Sequence, residues 1–352
     1  MPLKSARFKN FTSVPSTDFH FSPGVNIIVG ENGSGKSHVL KAIYSLMKVQ
    51  ATTKSHIARA NEIPPLSVLE KQFADRLVAN LRPETLGRLV KRRQGTGKAE
   101  IGLKFSNGKL NLRISFATRA STQVVIDKAH SIPLDKLPVF FPTRELITLS
   151  GWFGSLYDSY HLEFEEIWRD TVSLLNAPAI RGPKEERVRE LLEPIEVAMD
   201  GKVEVDQRTG RFYLRSPAGR MEMPLVAEGL RKFAMLARMI SAGVLLEHGY
   251  LFWDEPETNL NPKLIRVLAR TIMKLAEEGI QIFIASHSLI LLKEIEILQR
   301  EDSSREKLVR FFSIEKISGE DNSLSEGGYL YDIEPIVALD EEISQADIFL
   351  RS

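Results

Sequence analysis

Val25-Asn26-Ile27-Ile28-Val29-Gly30-Glu31-Asn32-Gly33-Ser34-Gly35-Lys36-Ser37 is the stretch that decides how this chain folds. Its first five residues are mostly apolar and follow the turn-forming Ser22-Pro23-Gly24, which marks a short buried strand. The next eight fit G-x-x-x-x-G-K-[ST] at every fixed position. Val39, Leu40, Ile43, Leu46 and Met47 then recur at helical spacing. Strand, glycine loop and helix together form a phosphate cradle. Backbone N–H groups of Gly30, Asn32, Gly33, Ser34 and Gly35 and the helix start face anionic oxygens, Lys36 reaches the β- and γ-phosphates, and the Ser37 hydroxyl ligates Mg²⁺. A chance glycine turn is the alternative, and the flanking strand and helix count against it.

Upstream, Leu3 to Phe11 and Phe19 to Phe21 read as strands. Downstream, Ser55 to Leu89 is amphipathic and helical, punctuated by Pro64-Pro65 and Pro83. Ala99 to Phe105 and Leu110 to Phe116 flank Asn107-Gly108, a strong hairpin signal, and Gln123 to Asp127 offers a third antiparallel strand. Val139-Phe140-Phe141 reads as a core strand ending in Pro142-Thr143-Arg144-Glu145. The stretch from Leu162 to Met199 is mostly helical, broken near Pro178 and Gly182-Pro183, and a hairpin follows from Lys202 to Arg215. From Pro224 onward, helix Gly229 to Glu247, strand Tyr250 to Trp253, helix Pro262 to Glu278, strand Gln281 to Ala285 and a further helix alternate, as in a parallel α/β sheet.

Two strand ends carry the remaining chemistry. Asp254-Glu255 closes Tyr250 to Trp253, at the end of the strand where ligand-facing residues of a parallel sheet emerge. Asp254 is placed to hold magnesium through its water shell, and Glu255 to orient or deprotonate an attacking water. Ser286-His287-Ser288 follows the strand Gln281 to Ala285. His287 can hydrogen-bond a γ-phosphate or the water beside it.

These residues resemble the ABC-class ATPase heads, more closely the RecF, SMC and OLD-type subgroup than transporter subunits. The resemblance rests on Arg7 to Phe11, Pro23 to Ser37, Val226 to Lys232, Leu251 to Pro262 and Ile282 to Ser288, in that order along the chain. It implies an α/β fold: a P-loop NTPase with an ABC-type head, its mixed sheet carrying helical and β-hairpin insertions. It also implies an ATPase core from residues 1–50 and 224–314, an inserted region over 51–223 and an acidic C-terminal segment over 315–352. ATP and Mg²⁺ are the implied ligands, with Gly229 opening a helix that meets the nucleotide of a second copy. Three positions depart from the family pattern. Ala227 replaces the signature serine, Glu228 replaces a glycine, and Asn259 stands in the loop after Asp254. No glutamine can be placed as the family's Q-loop residue; Gln123 is the nearest strand candidate and fits a sheet edge equally well. Phe141 to Leu146 resembles a segment of small stand-alone members.

Composition bounds the rest. With 352 residues, 43% hydrophobic, the chain can bury one large core or two ordinary ones. The absence of cysteine excludes disulfides, thiolate metal sites and cysteine nucleophiles, and suits a reducing compartment. With no apolar leader and no run of about 20 apolar residues, a cytoplasmic protein without a membrane partner is expected. Net charge is +1, so any nucleic-acid contact must be local. Arg82 to Lys128 holds 11 Lys or Arg against 3 Asp or Glu, Lys91-Arg92-Arg93 among them, and the tail from Glu315 holds 10 acids against 2 bases. The basic stretch is a candidate surface for DNA or an acidic partner; two solvated faces of opposite sign are the alternative. The functional expectation is an ATP-hydrolysing switch that pairs with itself around ATP and Mg²⁺ and regulates a separately encoded effector in anti-phage defence. A DNA repair clamp and a non-hydrolysing ATP-responsive scaffold are the alternatives.

Overall fold

A computed structural model describes residues 1–60, 64–92, 95–160, 162–178, 185–206, 208–247 and 249–351. Strands β1 (Leu3–Lys9), β2 (Asp18–His20) and β3 (Val25–Gly30) lead into α1 (Lys36–Ala60) and α2 (Leu66–Leu81). Four strands follow, β4 (Lys98–Phe105), β5 (Leu112–Ala117), β6 (Val125–Lys128) and β7 (Pro138–Phe141), and then α3 (Phe153–Tyr160), α4 (Glu166–Leu175) and α5 (Glu185–Met199). Next come β8 (Lys202–Val205), β9 (Phe212–Ser216), β10 (Gly219–Glu222), α6 (Glu228–Ser241) and α7 (Val244–Glu247). The chain ends with β11 (Tyr250–Asp254), α8 (Pro262–Glu277), β12 (Gln281–Ala285), α9 (Leu289–Glu301), β13 (Val309–Glu315), β14 (Ser323–Gly327) and α10 (Val337–Arg351).

A six-stranded mixed sheet is the frame, in the order β14-β13-β3-β12-β11-β7. All of its pairings are parallel except the antiparallel edge strand β14. It therefore draws β7 from the 51–223 stretch and β14 from the acidic tail into the sheet that holds β3. Side chains alternate across it. Val25, Ile27, Leu251, Trp253, Ile282 and Ile284 enter one core with α5, α6, α8 and α9, while Ile28, Phe252 and Phe283 enter a second core with α1, α2 and the antiparallel sheet. On the second face Phe140, Phe252 and Phe283 stack across three neighbouring strands, with centroid spacings of 6.3 and 4.7 Å. Tyr44 of α1 meets two of these rings edge-on, and its hydroxyl donates to Asp170 of α4 at 2.5 Å.

The antiparallel sheet runs β2-β1-β4-β5-β6. Its joint with the frame is the buried Gln281: Oε1 accepts from Leu3 N at 2.8 Å, and Nε2 donates to Leu3 O at 2.8 Å and Ser22 O at 2.7 Å. A third, three-stranded sheet β10-β9-β8 precedes α6.

Several expectations change. Asn107-Gly108 does not form a two-residue turn. A 3₁₀ turn over Gly108–Leu110 widens the β4–β5 connection, the Asn107 side chain accepts from Lys109 N, and Asn111 accepts from Phe105 N, so the side chains satisfy the loop backbone instead. The helix expected over Gly229 to Glu247 breaks at Gly243, whose φ is 65°, giving α6 and α7. The hairpin from Lys202 gains a third strand, β10. The third strand expected over Gln123 to Asp127 begins only at Val125, so Gln123 lies exposed just ahead of β6 and in no strand. The expected break at Gly182-Pro183 and the position of Arg93 lie outside the described residues.

Gln281→Leu should keep the shape of the core but take one hydrogen bond each from Leu3 N, Leu3 O and Ser22 O, of which Ser22 O keeps Asn26 Nδ2 at 3.1 Å. A loss of about 2–4 kcal/mol is expected, read by urea unfolding with an unchanged m-value.

Candidate nucleotide site

Parallel pairing fixes the site. Ile28, Ala285 and Asp254 lie abreast on β3, β12 and β11, and Phe141 ends β7 beside Trp253, so four strands stop along one edge. Ser286 N donates to Ile28 O at 3.0 Å and Glu255 N donates to Ala285 O at 2.9 Å, which carries the ladder one step past the strands. The residues expected to carry chemistry emerge from these ends.

The loop after β3 turns through Gly30, Gly33 and Gly35, at φ 145°, 78° and 107°, a path closed to most other residues. Asn32 and Gly33 face solvent, while Ser34 is buried with its hydroxyl unpartnered. Lys36 opens α1 and folds back, its ammonium donating to the carbonyls of Gly30 and Glu31 at 2.8 Å each. Burial pushes it down to about 8, against the pull of Glu255, Asp254 and Glu257. Ser37 Oγ donates to Asp254 Oδ1 at 2.9 Å, across 217 residues of sequence. Burial pushes the Asp254 carboxyl up, and that hydrogen bond and nearby Lys41 pull it down.

Glu255 takes the left-handed backbone, φ 49°, and its Oε1 lies 3.8 Å from His287 Nε2. Burial and Lys36 hold the His287 ring below its ordinary 6.5, although Glu255 and Glu257 pull it upward. The imidazole is therefore neutral at pH 7. Of the Ser286-His287-Ser288 trio, the two serines are engaged within the chain. Ser286 Oγ donates to Glu257 Oε1 at 2.8 Å, and Ser288 Oγ caps α9 by accepting from Leu291 N at 3.2 Å.

Gly229 lies against the chain's own Asn259 and Leu260. A Cβ there would collide with the Asn259 carbonyl, so glycine is required by this close approach. Ala227 is the N-cap of α6 and offers no side-chain acceptor, which leaves first-turn N–H groups uncapped.

Sequence reading passed over four features. Glu257 also accepts from His287 N at 2.9 Å and so anchors the histidine loop; its signal was the third acid of Asp254-Glu255-Pro256-Glu257. Lys232 is 2% exposed and donates to the Glu255 carbonyl at 3.1 Å; burial pushes it down to about 8. The tip of β7 presents exposed Arg144, while buried Glu145 pairs with Arg231 of α6 at 3.2 Å. The segment leading into α10 closes one wall of a cleft of about 450 Å³ lined by Glu31, Asn32, His287, Ile336 and Glu341. No local pattern announced that last wall.

The donor set suits Mg²⁺ with a nucleotide. A buried carboxylate and a hydroxyl already in contact leave the other positions of a hard octahedral cation to phosphate oxygens and water. Among the described residues no cluster of three or more His, Asp or Glu could hold a metal alone.

Fold and strand-end row together define an ABC-class ATPase head of the RecF and SMC type. The chain belongs to the family described as "AAA domain, putative AbiEii toxin, Type IV TA system", which it matches over residues 118–293, half its length; residues 1–136 match the "AAA ATPase domain". It is 35% identical over 101 residues to the DNA replication and repair protein RecF of Enterobacter sp. (strain 638), covering 29% of this chain and 27% of that protein. RecF of Francisella tularensis subsp. novicida (strain U112) is 37% identical over 59 residues, 17% of each chain. The chain thus spans well under a third of the curated relatives it matches. Among solved structures, an SMC head bound to the C-terminal winged-helix domain of ScpA aligns with TM-score 0.54 at 13% identity, covering 93% of this chain and 98% of that one. The Pyrococcus furiosus SMC head with an extended coiled coil, bound to the C-terminal domain of ScpA, gives 0.53 at 12%, covering 97% and 99%. These likenesses concern the fold. Among the described residues no helix is long and apolar enough to cross a membrane.

An NMR titration of the His287 ring should give a midpoint below 6.5. Glu255→Gln should lower it further, because the substitution removes a negative charge that favours the imidazolium.

Proposed function

We propose that the chain is an ATP-hydrolysing switch in which two copies close around two MgATP. The observation that carries this reading is the Ser37–Asp254 hydrogen bond at 2.9 Å, which brings a loop hydroxyl and a strand-end carboxylate together beside Lys36, Glu255 and His287. In this reading the Gly30 to Gly35 backbone and Lys36 hold the phosphates, the lysine exchanging its two loop carbonyls for phosphate oxygens. Ser37 and Asp254 hold Mg²⁺, which when bound neutralises charge on the phosphates. Glu255 accepts the proton of a water attacking the γ-phosphorus as the bond to the bridging oxygen breaks. Neutral His287 donates to or orients the γ-phosphate. The uncapped start of α6, near Gly229, addresses the nucleotide of the second copy.

The switch would serve a defence system, acting on a separately encoded effector in response to phage; what supports this is the family description, which names a toxin of a type IV TA system. A location in the cytoplasm accords with that role.

A second reading, DNA binding, is favoured by one surface. The outer face of the antiparallel sheet aligns Arg7, Gly102, Arg113 and Lys128 in register, with exposed Lys9 and Lys104 beside them. Asp18 offsets Arg7 at 3.7 Å, and Lys98 pairs with Asp127 at 3.7 Å. Lys91 is engaged by Asp321 of the acidic tail, so these two stretches of opposite charge meet within one chain.

Lys36→Ala should abolish tight MgATP binding in calorimetry; wild-type affinity would remove the loop from the site. Glu255→Gln should bind MgATP but turn it over at least about 100-fold more slowly and accumulate a species of twice the mass on sizing. Slow turnover with unchanged mass would sink the paired arrangement, and a wild type that releases no phosphate would favour the scaffold. For the DNA reading, fluorescence anisotropy with duplex DNA should show affinity falling steeply with salt. Arg113→Glu with Lys128→Glu should weaken binding while phosphate release stays at its basal rate; identical binding would reduce this face to a solvated surface.

A further inference from the structure

Lys232 has no part in the chemistry assigned above, yet it is among the most completely buried side chains of the molecule. Burying an ammonium is costly, and a methionine of similar reach would fill the space more cheaply. Among the described residues it forms no ion pair. Its hydrogen bond goes to a backbone carbonyl, that of Glu255, at 3.1 Å. The same carbonyl accepts from Thr258 Oγ1 at 3.1 Å and Thr258 N at 3.3 Å. Three donors, one of them charged, therefore converge on one oxygen.

That oxygen belongs to a residue in a strained conformation. Glu255 stands at φ 49°, where a Cβ crowds the backbone; its carboxylate accepts from Thr258 Oγ1 at 3.3 Å, a bond to another side chain and not to its own peptide. Such a conformation persists only where the surroundings over-determine it. The amide of Glu255 is fixed by Ala285 O at 2.9 Å, which leaves rotation of its far peptide as the way to relax. The carbonyl that Lys232 holds is the oxygen of that peptide.

We infer that Lys232 is a positioning residue: it pins the Glu255 carbonyl, keeps the left-handed turn, and so aims the Glu255 carboxylate along the strand ends toward His287. This rests on the reading of Glu255 as the base. Lys232 follows Gly229 by three residues on α6, and its neighbour Arg231 holds Glu145 at the end of β7. The helix is thus tied to two strand ends, and the base of one site is mechanically linked to whatever the start of α6 meets.

The alternative role for Lys232 is neutralisation of the surrounding acids, Glu257, Glu255, Glu228 and Asp254. The two roles separate in steady-state kinetics. Lys232→Met should lower kcat about 10- to 100-fold, the scale of a misplaced catalytic group, while calorimetry with Mg²⁺ and a non-hydrolysable ATP analogue gives an affinity within about twofold of wild type. Lys232→Gln, which can still donate, should recover part of kcat. Loss of analogue affinity in parallel with kcat would assign the lysine to charge balance and overturn the inference, as would a wild-type kcat in Lys232→Met. Should the methionine variant unfold the chain, Lys232→Gln decides alone, because it keeps a donor and removes the charge: analogue affinity within about twofold of wild type supports the inference, and affinity lost in parallel with kcat overturns it. A wild-type chain that releases no phosphate would instead overturn the assignment of Glu255 and this inference with it.

Discussion

Parallel pairing of β3, β12, β11 and β7 is the constraint on which everything else rests. Because Ile28, Ala285 and Asp254 are held abreast, the loops that leave those strands must begin along one line. The phosphate loop, the Asp254-Glu255 pair and His287 are separated by hundreds of residues of chain or by whole helices, yet all emerge at this edge. The stacked Phe140, Phe252 and Phe283 hold three of the four strands in that register from below. A slip of one residue would turn those rings to the opposite core and move Asp254 away from Ser37.

Around that edge the interior is polar where different parts of the fold must be joined. Gln281 links the antiparallel sheet to β12, and Asn26 on β3 accepts from Ser22 N at 2.8 Å, fixing the turn before the phosphate loop. Asp170 of α4 receives Tyr44 of α1 and Arg76 of α2, the latter at 2.6 Å. Each is a buried group whose partners lie on another element. Losing one partner strands the others, which makes these contacts specific as well as stabilising. Lys41 of α1, paired with Glu165 at 2.5 Å, extends the same kind of link from the phosphate-loop helix to the start of α4.

Charge is distributed by the same logic. The first part of the acidic tail folds back onto the chain, while α10 with Asp340, Glu341, Glu342 and Asp347 is exposed. Asp321 meets Lys91, and Glu326 of β14 accepts from His20 at 2.8 Å and Arg310 at 2.9 Å. On the outer face of the antiparallel sheet alternation puts Arg7, offset by Asp18, together with Arg113 and Lys128 on one side, and Phe8, Ile114 and their neighbours in the core.

Sequence alone determined the local chemistry. The phosphate loop was legible because its glycines, lysine and serine must lie within eight residues, and its strand and helix because their periodicities are local. The same holds for Asp254-Glu255 and His287, each marked by an apolar strand ending in polar residues. What tertiary structure decided was adjacency. That β7 stands beside β11, that Glu257 holds the His287 loop, that Gly229 is glycine because Asn259 presses on it, and that Lys232 reaches the Glu255 carbonyl all depend on contacts between distant segments. A lysine in an amphipathic helix looks the same whether it meets water or a backbone oxygen. Only the packing of α6 against the strand ends removes the water and leaves the carbonyl as its partner.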